Sequence, residues 1–350
     1  MEPIGVGVVG CGVMGPRHAQ AAQELPLTEL VAIADAIAER AQATAERFGV
    51  EKIYREGAEL CADPDIELVV LALPTFVRTE LALGAFANGK HVLTEKPVAM
   101  NAAEVEQLIA ARGDLTAACC SSRFRFTHGA ELAADLIAEG ALGELRTIYC
   151  RSFFAAGPPP DGPRPEWRLK RHLNGGGFLM NWGCYDLDYL LGITGWQLKP
   201  QTVLAQTWTI PPQLASHIPE GSDAETHYAA LIRCQGGTMI SIERGEYMAA
   251  GEETAWQIVG TKGSLHLQMT PAASNQLVFD ECTTEQGTAS RVLWEGKEDS
   301  SVTMWGPLTD LVEAIRDNRE PMTSLEQALI VQQITDAIYA SAATGEAVSI

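Results

Sequence analysis

The sequence predicts an α/β chain in two parts: a doubly wound parallel sheet over residues 1–122, then an α+β domain with a mainly antiparallel sheet over residues 123–350. Three observations lead there. Short apolar runs alternate with helical stretches through the first 120 residues. A glycine turn, Gly10-Cys11-Gly12-Val13-Met14-Gly15, joins the first apolar run to the first helix. After about residue 122 the alternation gives way to long strand-like stretches. Strand–helix alternation with short connections implies right-handed crossovers and a parallel sheet.

The elements follow in order. Residues 6–9 read as a buried strand, 14–25 as the helix opened by the glycines, 31–34 as a second strand and 38–48 as a second helix. Residues 68–72 are continuously apolar, as in a strand covered on both faces. A helix at about 79–88 ends at Gly89, a C-cap glycine. Residues 91–94 form the next strand, and Asn101-Ala-Ala-Glu104 has the form of a capping box that opens another helix. Residues 116–120 complete this set. The second part carries strands at 146–154, 202–208, 225–234, 238–245, 255–260, 264–268 and 275–279. Gly236-Gly237 suits a two-residue hairpin turn, and Gly260-Thr261-Lys262-Gly263 joins another pair. Two helices close the chain, at about 307–317 and 324–343, the latter opened by Ser324-Leu-Glu-Gln327. The Pro-rich patch from Gly157 to Pro165 reads as a stiff loop.

Composition narrows the function classes. At 350 residues the chain has room for two cores. A net charge of −20 repels nucleic-acid phosphate and anionic lipid, which excludes both as expected partners. The eight cysteines lie mostly in apolar runs with no CxxC spacing, so neither a disulfide framework nor a metal site is expected. There is no basic leader and no apolar stretch of the ~18 residues that a membrane span needs, which points to the cytoplasm.

The glycine turn carries the first chemistry. Gly10 permits the tight turn, Gly12 lets the backbone approach a dinucleotide pyrophosphate at the helix N-terminus, and Gly15 allows close helix–strand packing. Asp35 follows Gly15 by 20 residues, at the end of the second strand, and can accept hydrogen bonds from ribose hydroxyls. A carboxylate there repels a 2′-phosphate, and Ala36-Ile37-Ala38 supplies no cation, so NAD is favoured over NADP. This is the Rossmann fingerprint; the plain alternative is a glycine turn with no ligand. Leu73-Pro74-Thr75 follows the strand at 68–72, and Glu95-Lys96-Pro97 follows the strand at 91–94. Both fall at carboxyl ends of strands, where open α/β sheets bind ligands. The cofactor-binding candidates are therefore Gly10, Cys11, Gly12, Val13, Met14, Gly15, Asp35, Leu73, Pro74, Thr75, Glu95 and Lys96. Lys96 can also hold a substrate hydroxyl; a surface lysine before a proline is the alternative.

The combination of Gly10-x-Gly12-x-x-Gly15, Asp35, Pro74 and the run from Gly89 to Pro97 resembles the glucose–fructose oxidoreductase/inositol dehydrogenase (Gfo/Idh/MocA) family. Arg123-Phe124, Gly140-x-Leu142-Gly143, Gly175-Gly176-Gly177-x-Leu179, the last two helices, Ser341-Ala342 and Gly345 extend the resemblance over nearly the whole chain. It implies a Rossmann domain followed by an open-faced sheet domain. It also implies NAD(P)-dependent oxidation or reduction of a sugar, cyclitol or related polyol. An exposed face on the second domain's sheet would suggest a homo-oligomer, dimer or tetramer. Members commonly follow the glycine triplet with an Asp and, four residues later, a His that accepts the proton. Here those positions hold Asn181 and Tyr185. Members that resemble glucose–fructose oxidoreductase or dimeric dihydrodiol dehydrogenase carry Tyr at the matching place. A phenol can serve, because its pKa of about 10 falls when a cation such as Lys96 lies close. Arg78 stands where an aromatic or imidazole side chain is frequent.

Spacing alone puts Asn181, Tyr185 and Asp188 on one helical face, at i, i+4 and i+7, a polar stripe pointing away from the core. Otherwise Asn181 caps the helix and Tyr185 packs at an interface. The segment from Arg164 to His172 is the one basic cluster. Trp167 could stack on a sugar face and Arg168 could bind an anionic group, or the cluster could serve as a subunit contact or balance charge against the acidic surface. The expected enzyme is an NAD-dependent oxidoreductase acting on a hydroxyl-bearing carbon. Tyr185, Lys96 and Asn181 are its catalytic residues, and Lys96, Arg123, Trp167, Arg168, Asn181 and Tyr185 its substrate ligands. Two rivals are a glycoside-cleaving enzyme that recycles bound NAD through transient C3 oxidation, and a dinucleotide-dependent sensor without catalysis.

Overall fold

The computed structural model describes residues 2–160 and 165–350. Pro163 and Arg164, at the end of the Pro-rich loop and the start of the basic cluster, lie outside the described residues. The chain divides into two compact units, Met1–Arg123 with Ser301–Gln332, and Phe124–Ser300 with Gln333–Ile350.

In the first unit six strands form one parallel sheet: β1 (Ile4–Val9), β2 (Thr28–Ala34), β3 (Lys52–Tyr54), β4 (Leu68–Leu71), β5 (His91–Thr94) and β6 (Ala117–Cys119). Their order is β3-β2-β1-β4-β5-β6, so the direction of winding reverses between β1 and β4. Every residue of β1 and β4 is buried, because helices cover both faces. The helices are α1 (Gly15–Glu24), α2 (Ala38–Phe48), α3 (Gly57–Cys61), α4 (Thr75–Ala87) and α5 (Ala102–Arg112). One apolar layer joins Leu60, Ala85, Phe86, Val105 and Leu108 to the sheet, and the other joins Ala19, Ala22, Ala41 and Phe48. Asn101 caps α5 through a 3.0 Å bond from the Glu104 amide, but the Glu104 carboxylate turns instead to Thr79 and Met100. Half of the expected capping box is present.

In the second unit α6 (His128–Ala138) precedes β7 (Leu145–Ala155), and the short α7 (Arg171–Asn174) precedes a π-helical turn, Leu179–Gly183, that runs directly into α8 (Cys184–Ile193). The strands that follow are β8 (Pro200–Trp208), β9 (His227–Cys234), β10 (Met239–Met248), β11 (Glu253–Gly260), β12 (Gly263–Leu267), β13 (Asn275–Thr283) and β14 (Gly287–Gly296). With β15 (Val348–Ser349) they form a sheet ordered β14-β13-β12-β11-β7-β10-β9-β8-β15. Only the β7–β10 pairing is parallel. Alternation along β9 buries Tyr228, Ala230, Ile232 and Cys234 and turns Leu231 and Arg233 outward, so one face of the sheet is open to solvent.

The chain then doubles back. Helix α9 (Val302–Asp317) packs into the first unit, where Leu308, Leu311 and Val312 join the apolar layer beside α1. Each such side chain contributes roughly 1.5–3 kcal/mol by burial. The sequence reading gave residues 123–350 wholly to the second domain. The correction is that Ser301–Gln332 belongs with the first unit, because its apolar stripe matches that layer. The reading also began this helix at Pro307; the helix starts at Val302 and carries the proline inside. Helix α10 (Leu325–Thr344) is opened as expected: Ser324 and Gln327 exchange amide-to-side-chain bonds of 2.9 and 3.4 Å.

Candidate active site

In the first unit the glycine turn has the shape a dinucleotide needs. Gly10 has φ +96°, and a side chain there would strike the Ala72 carbonyl. A side chain on Gly15 would strike the Gly10 carbonyl, so this glycine serves helix–strand packing. A Cβ on Gly12 would meet nothing within 4 Å: here the backbone is open to an approaching pyrophosphate. Beside it Val13 is 74% exposed, and Met14 is half-buried. Asp35 is fixed by two amides, Cys11 N–H to Oδ2 at 2.6 Å and Ile37 N–H to Oδ1 at 2.8 Å. Each carboxylate oxygen keeps accepting capacity for a ribose hydroxyl. The residues present thus fit a bound dinucleotide. Cys11 serves through its amide, which holds Asp35 for the dinucleotide; its side chain is buried, and burial pushes the thiol up to about 11.

Strands β1, β4 and β5 are neighbours at the point where the winding reverses, and their carboxyl ends carry the three expected loops. Leu73 and Pro74 are half-buried, and Thr75 opens α4. Arg78, one turn on, is buried and bridges two loops: its guanidinium donates to the Glu95 carbonyl and, at 2.9 Å, to the Thr75 hydroxyl. Lys96, joined to Pro97 by a cis peptide bond, is half-buried, and its amide donates to Glu95 Oε2 at 3.1 Å.

Glu95 was expected against the cofactor and Arg123 against the substrate. Both are buried, and they are paired with each other, Arg123 Nη2 to Glu95 Oε1 at 2.6 Å. The same oxygen takes His18 Nε2 at 2.9 Å. Burial alone would raise the Glu95 carboxyl, but the Arg123 guanidinium and then the His18 hydrogen bond hold it well below the usual carboxylate range. Among the described residues, His18, Glu95 and Cys120 form the one group with the composition of a metal site. Its carboxylate already carries a guanidinium, and burial pushes the Cys120 thiol well above its usual range. A buried ion pair is the better description.

In the second unit the glycine triplet opens the helix that holds the expected catalytic pair. A side chain on Gly176 would strike the Tyr339 hydroxyl, and one on Gly177 would strike the Glu225 carbonyl. Glu225 is fully buried; its carboxylate accepts the Gly177 amide at 3.1 Å, the Leu179 amide at 2.9 Å and the Tyr339 hydroxyl at 2.8 Å. It thereby satisfies N–H groups at a helix start that has no side-chain cap of its own. Asn181 lies within the π turn and is half-buried. Tyr185 is 4% exposed, its ring edge-on to Phe124 at 4.9 Å and to Trp182 at 5.6 Å. The expected polar stripe stops there. Asp188 is buried against Arg125 at 2.8 Å, and its neighbour Asp186 is buried against Arg244 at 2.8 Å and the Tyr228 hydroxyl at 3.1 Å. Arg244 also lies 4.7 Å from the Trp182 ring, on the face of the sheet where a sequence reading expects apolar residues.

The basic cluster carries its own counter-charges. Arg168 pairs with Glu246, Lys170 with Glu166 at 3.3 Å, and the Arg171 amide donates to Asp223 at 2.8 Å. Trp167 is half-buried in a short 3₁₀ turn, Glu166–Leu169. Sequence reasoning missed His18, Glu225 and Arg244. The first two had a usable signal: polar residues within or directly beside otherwise buried segments.

The sequence profile of an oxidoreductase family with an NAD-binding Rossmann fold, Gfo/Idh/MocA, matches residues 4–119, and the profile of that family's C-terminal domain matches residues 131–266. Levoglucosan dehydrogenase of Pseudarthrobacter phenanthrenivorans is 27% identical over 297 residues, spanning 76% of this chain and 73% of its own. Myo-inositol 2-dehydrogenase of Thermotoga maritima is 25% identical over 262 residues, 74% of each chain. The solved structure of levoglucosan dehydrogenase in complex with NADH and L-sorbose shares the fold, with a TM-score of 0.86 over 100% of this chain and 99% of the other at 24% identity. With both profiles matched in order along one chain, the protein belongs to the Gfo/Idh/MocA family of NAD-binding oxidoreductases.

Proposed function

We propose that the protein transfers a hydride between NAD and a hydroxyl- or carbonyl-bearing carbon of a sugar, cyclitol or related polyol without net charge. One observation carries the reading: the glycine turn, the Pro74 loop and Lys96 stand at the carboxyl ends of three adjacent parallel strands where the winding reverses. Gly10, Gly12, Val13, Met14, Gly15, Leu73, Pro74, Thr75 and Asp35 hold the dinucleotide. Bound NAD supplies the hydride acceptor or donor. Lys96 binds the substrate oxygen and offsets charge that develops on it. Tyr185 takes or returns the hydroxyl proton, and Asn181 orients the substrate. The names of the relatives, which act on levoglucosan and myo-inositol, support the substrate class. The pairing of Arg168 with Glu246 supports a neutral substrate, since a guanidinium already matched by a carboxylate offers little to an anion.

The test is a panel of polyols, aldoses, uronates and glycosides with NAD, following absorbance at 340 nm and product release together. On the best substrate Tyr185→Phe should lower kcat by about 10²–10⁴-fold with NAD affinity unchanged. Lys96→Ala should cost at least as much, and the double variant far less than the sum, because the two act on one oxygen. Wild-type turnover in Tyr185→Phe would strip that residue of its role. Aglycone release without net NADH would instead favour glycoside cleavage.

A further inference from the structure

The buried charges beneath Lys96 have no place in the reaction described so far. Glu95 precedes Lys96, and its carboxylate is divided between two tasks. Oε2 accepts the Lys96 amide at 3.1 Å, while Oε1 takes His18 at 2.9 Å and Arg123 at 2.6 Å. Its carbonyl is held by Arg78. The residue before Lys96 is thus fixed at both its side chain and its main chain.

One of these contacts comes from α1, the helix whose N-terminal turn carries the glycine fingerprint. His18 lies three residues past Gly15 and is fully buried. Its Nδ1 has no hydrogen-bond partner among the described residues, so the ring's polar contact there is the one to Glu95. Without His18, Oε1 keeps the Arg123 guanidinium but loses the contact that opposes it, and the carboxylate can pivot toward Arg123. Turning Oε1 would also turn Oε2, and with it the hold on the Lys96 amide.

We propose that His18 is a positioning residue for Lys96, acting through Glu95, and that this chain of contacts couples occupancy of the glycine turn to the setting of the Lys96 side chain. The idea rests on the reading of Lys96 as the ligand of the substrate oxygen. A merely structural His18 would change stability and leave the surroundings of Lys96 alone.

The experiment uses the intact chain. Its seven lysines are few enough to follow by reductive ¹³C-methylation, with the Lys96 signal identified by its loss in Lys96→Arg. In the wild type NADH should shift the Lys96 methyl signal. In His18→Leu that shift should fall below half. On the best polyol kcat should drop about 10–100-fold, the usual cost of misplacing a reacting group, with KM within roughly threefold. His18→Gln, whose amide N–H can reach Oε1, should restore both. Should His18→Leu fail to fold, His18→Asn, too short to reach Oε1, takes its place. An undiminished NADH shift in His18→Leu overturns the coupling. So does a His18→Gln protein as deficient as His18→Leu. A Lys96→Ala variant that turns over at the wild-type rate sinks the catalytic reading of Lys96, and the role of His18 in turnover with it, whatever the spectrum shows.

Discussion

Asp35 is the carboxylate proposed to set cofactor choice. Two backbone amides hold it at the end of β2, so it cannot swing away from an incoming group. A ribose hydroxyl finds an acceptor there. A 2′-phosphate finds a like charge, and two unit charges about 4 Å apart repel by roughly 1–4 kcal/mol between bulk water and a protein surface. NADH should therefore bind at least about fivefold more tightly than NADPH, and Asp35→Ser should narrow the gap. Fluorescence titration of both cofactors decides it, and tighter NADPH binding to the wild type would reverse the assignment. The place of Asp35 at the end of β2, beside the glycine turn, was legible because the motif fixes its spacing. The partners of Glu95 and Arg123 were not legible, for the opposite reason. A motif marks where a residue falls on a strand end, but whether its side chain points to ligand or core depends on partners from distant elements, here His18 on α1.

The helix after the glycine triplet is the element on which the proposed roles of Asn181 and Tyr185 depend. Its start has no side-chain cap of its own, and Glu225, 46 residues away from Leu179, supplies the missing acceptor. Glycine at 176 and 177 leaves room for Tyr339 and Glu225 to approach. Glu225→Ala would leave the Gly177 and Leu179 amides and the Tyr339 hydroxyl to find other partners, at about 1–3 kcal/mol for each buried group left unpaired. We expect a lower urea midpoint together with a loss of turnover, since the π turn that places Asn181 begins there. An unchanged midpoint would show that solvent replaces the carboxylate. Other elements were legible according to how much of them is buried. The strands of the first sheet and the hairpin at Gly236-Gly237 announce themselves by apolar runs and turn residues, although the turn is three residues, Gln235–Gly237, with the Cys234 amide donating to the Thr238 carbonyl, and not the two expected. Strand β14 does not: it lies at the sheet edge, its residues are exposed through most of its length, and so no alternation marks it. Strand β3 is three residues long, too short for any period.

At the scale of the whole molecule, the return of Ser301–Gln332 to the first unit escaped the sequence reading because apolar periodicity says that a helix has a buried face, not which sheet it buries against. The outward face of the second sheet poses a related question, since what covers it is written in no motif. Leu204 on β8 and Leu231 on β9 are directly paired across the strands, and they are 49% and 45% exposed. Tyr149 on β7 and Val292 on β14 are also exposed. Large apolar side chains in register on an open face are what a two-fold contact between identical chains needs, because each copy offers the other the same patch. A second copy of this chain is therefore the expected occupant, in a dimer or in a tetramer built from dimers, over an interface of roughly 1,600 Å² or more in total. Light scattering on a sizing column should give at least twice the 37.6 kDa chain mass. The double variant Leu204→Glu, Leu231→Glu puts two like charges on neighbouring positions of each copy, so any face-to-face contact would bring four together. It should elute as a smaller species at the same concentration, with its far-ultraviolet spectrum unchanged because neither side chain is in the core. A wild type that runs as a monomer at micromolar concentration would show this face to be free. A variant that keeps the parent's mass would move the interface elsewhere on the surface.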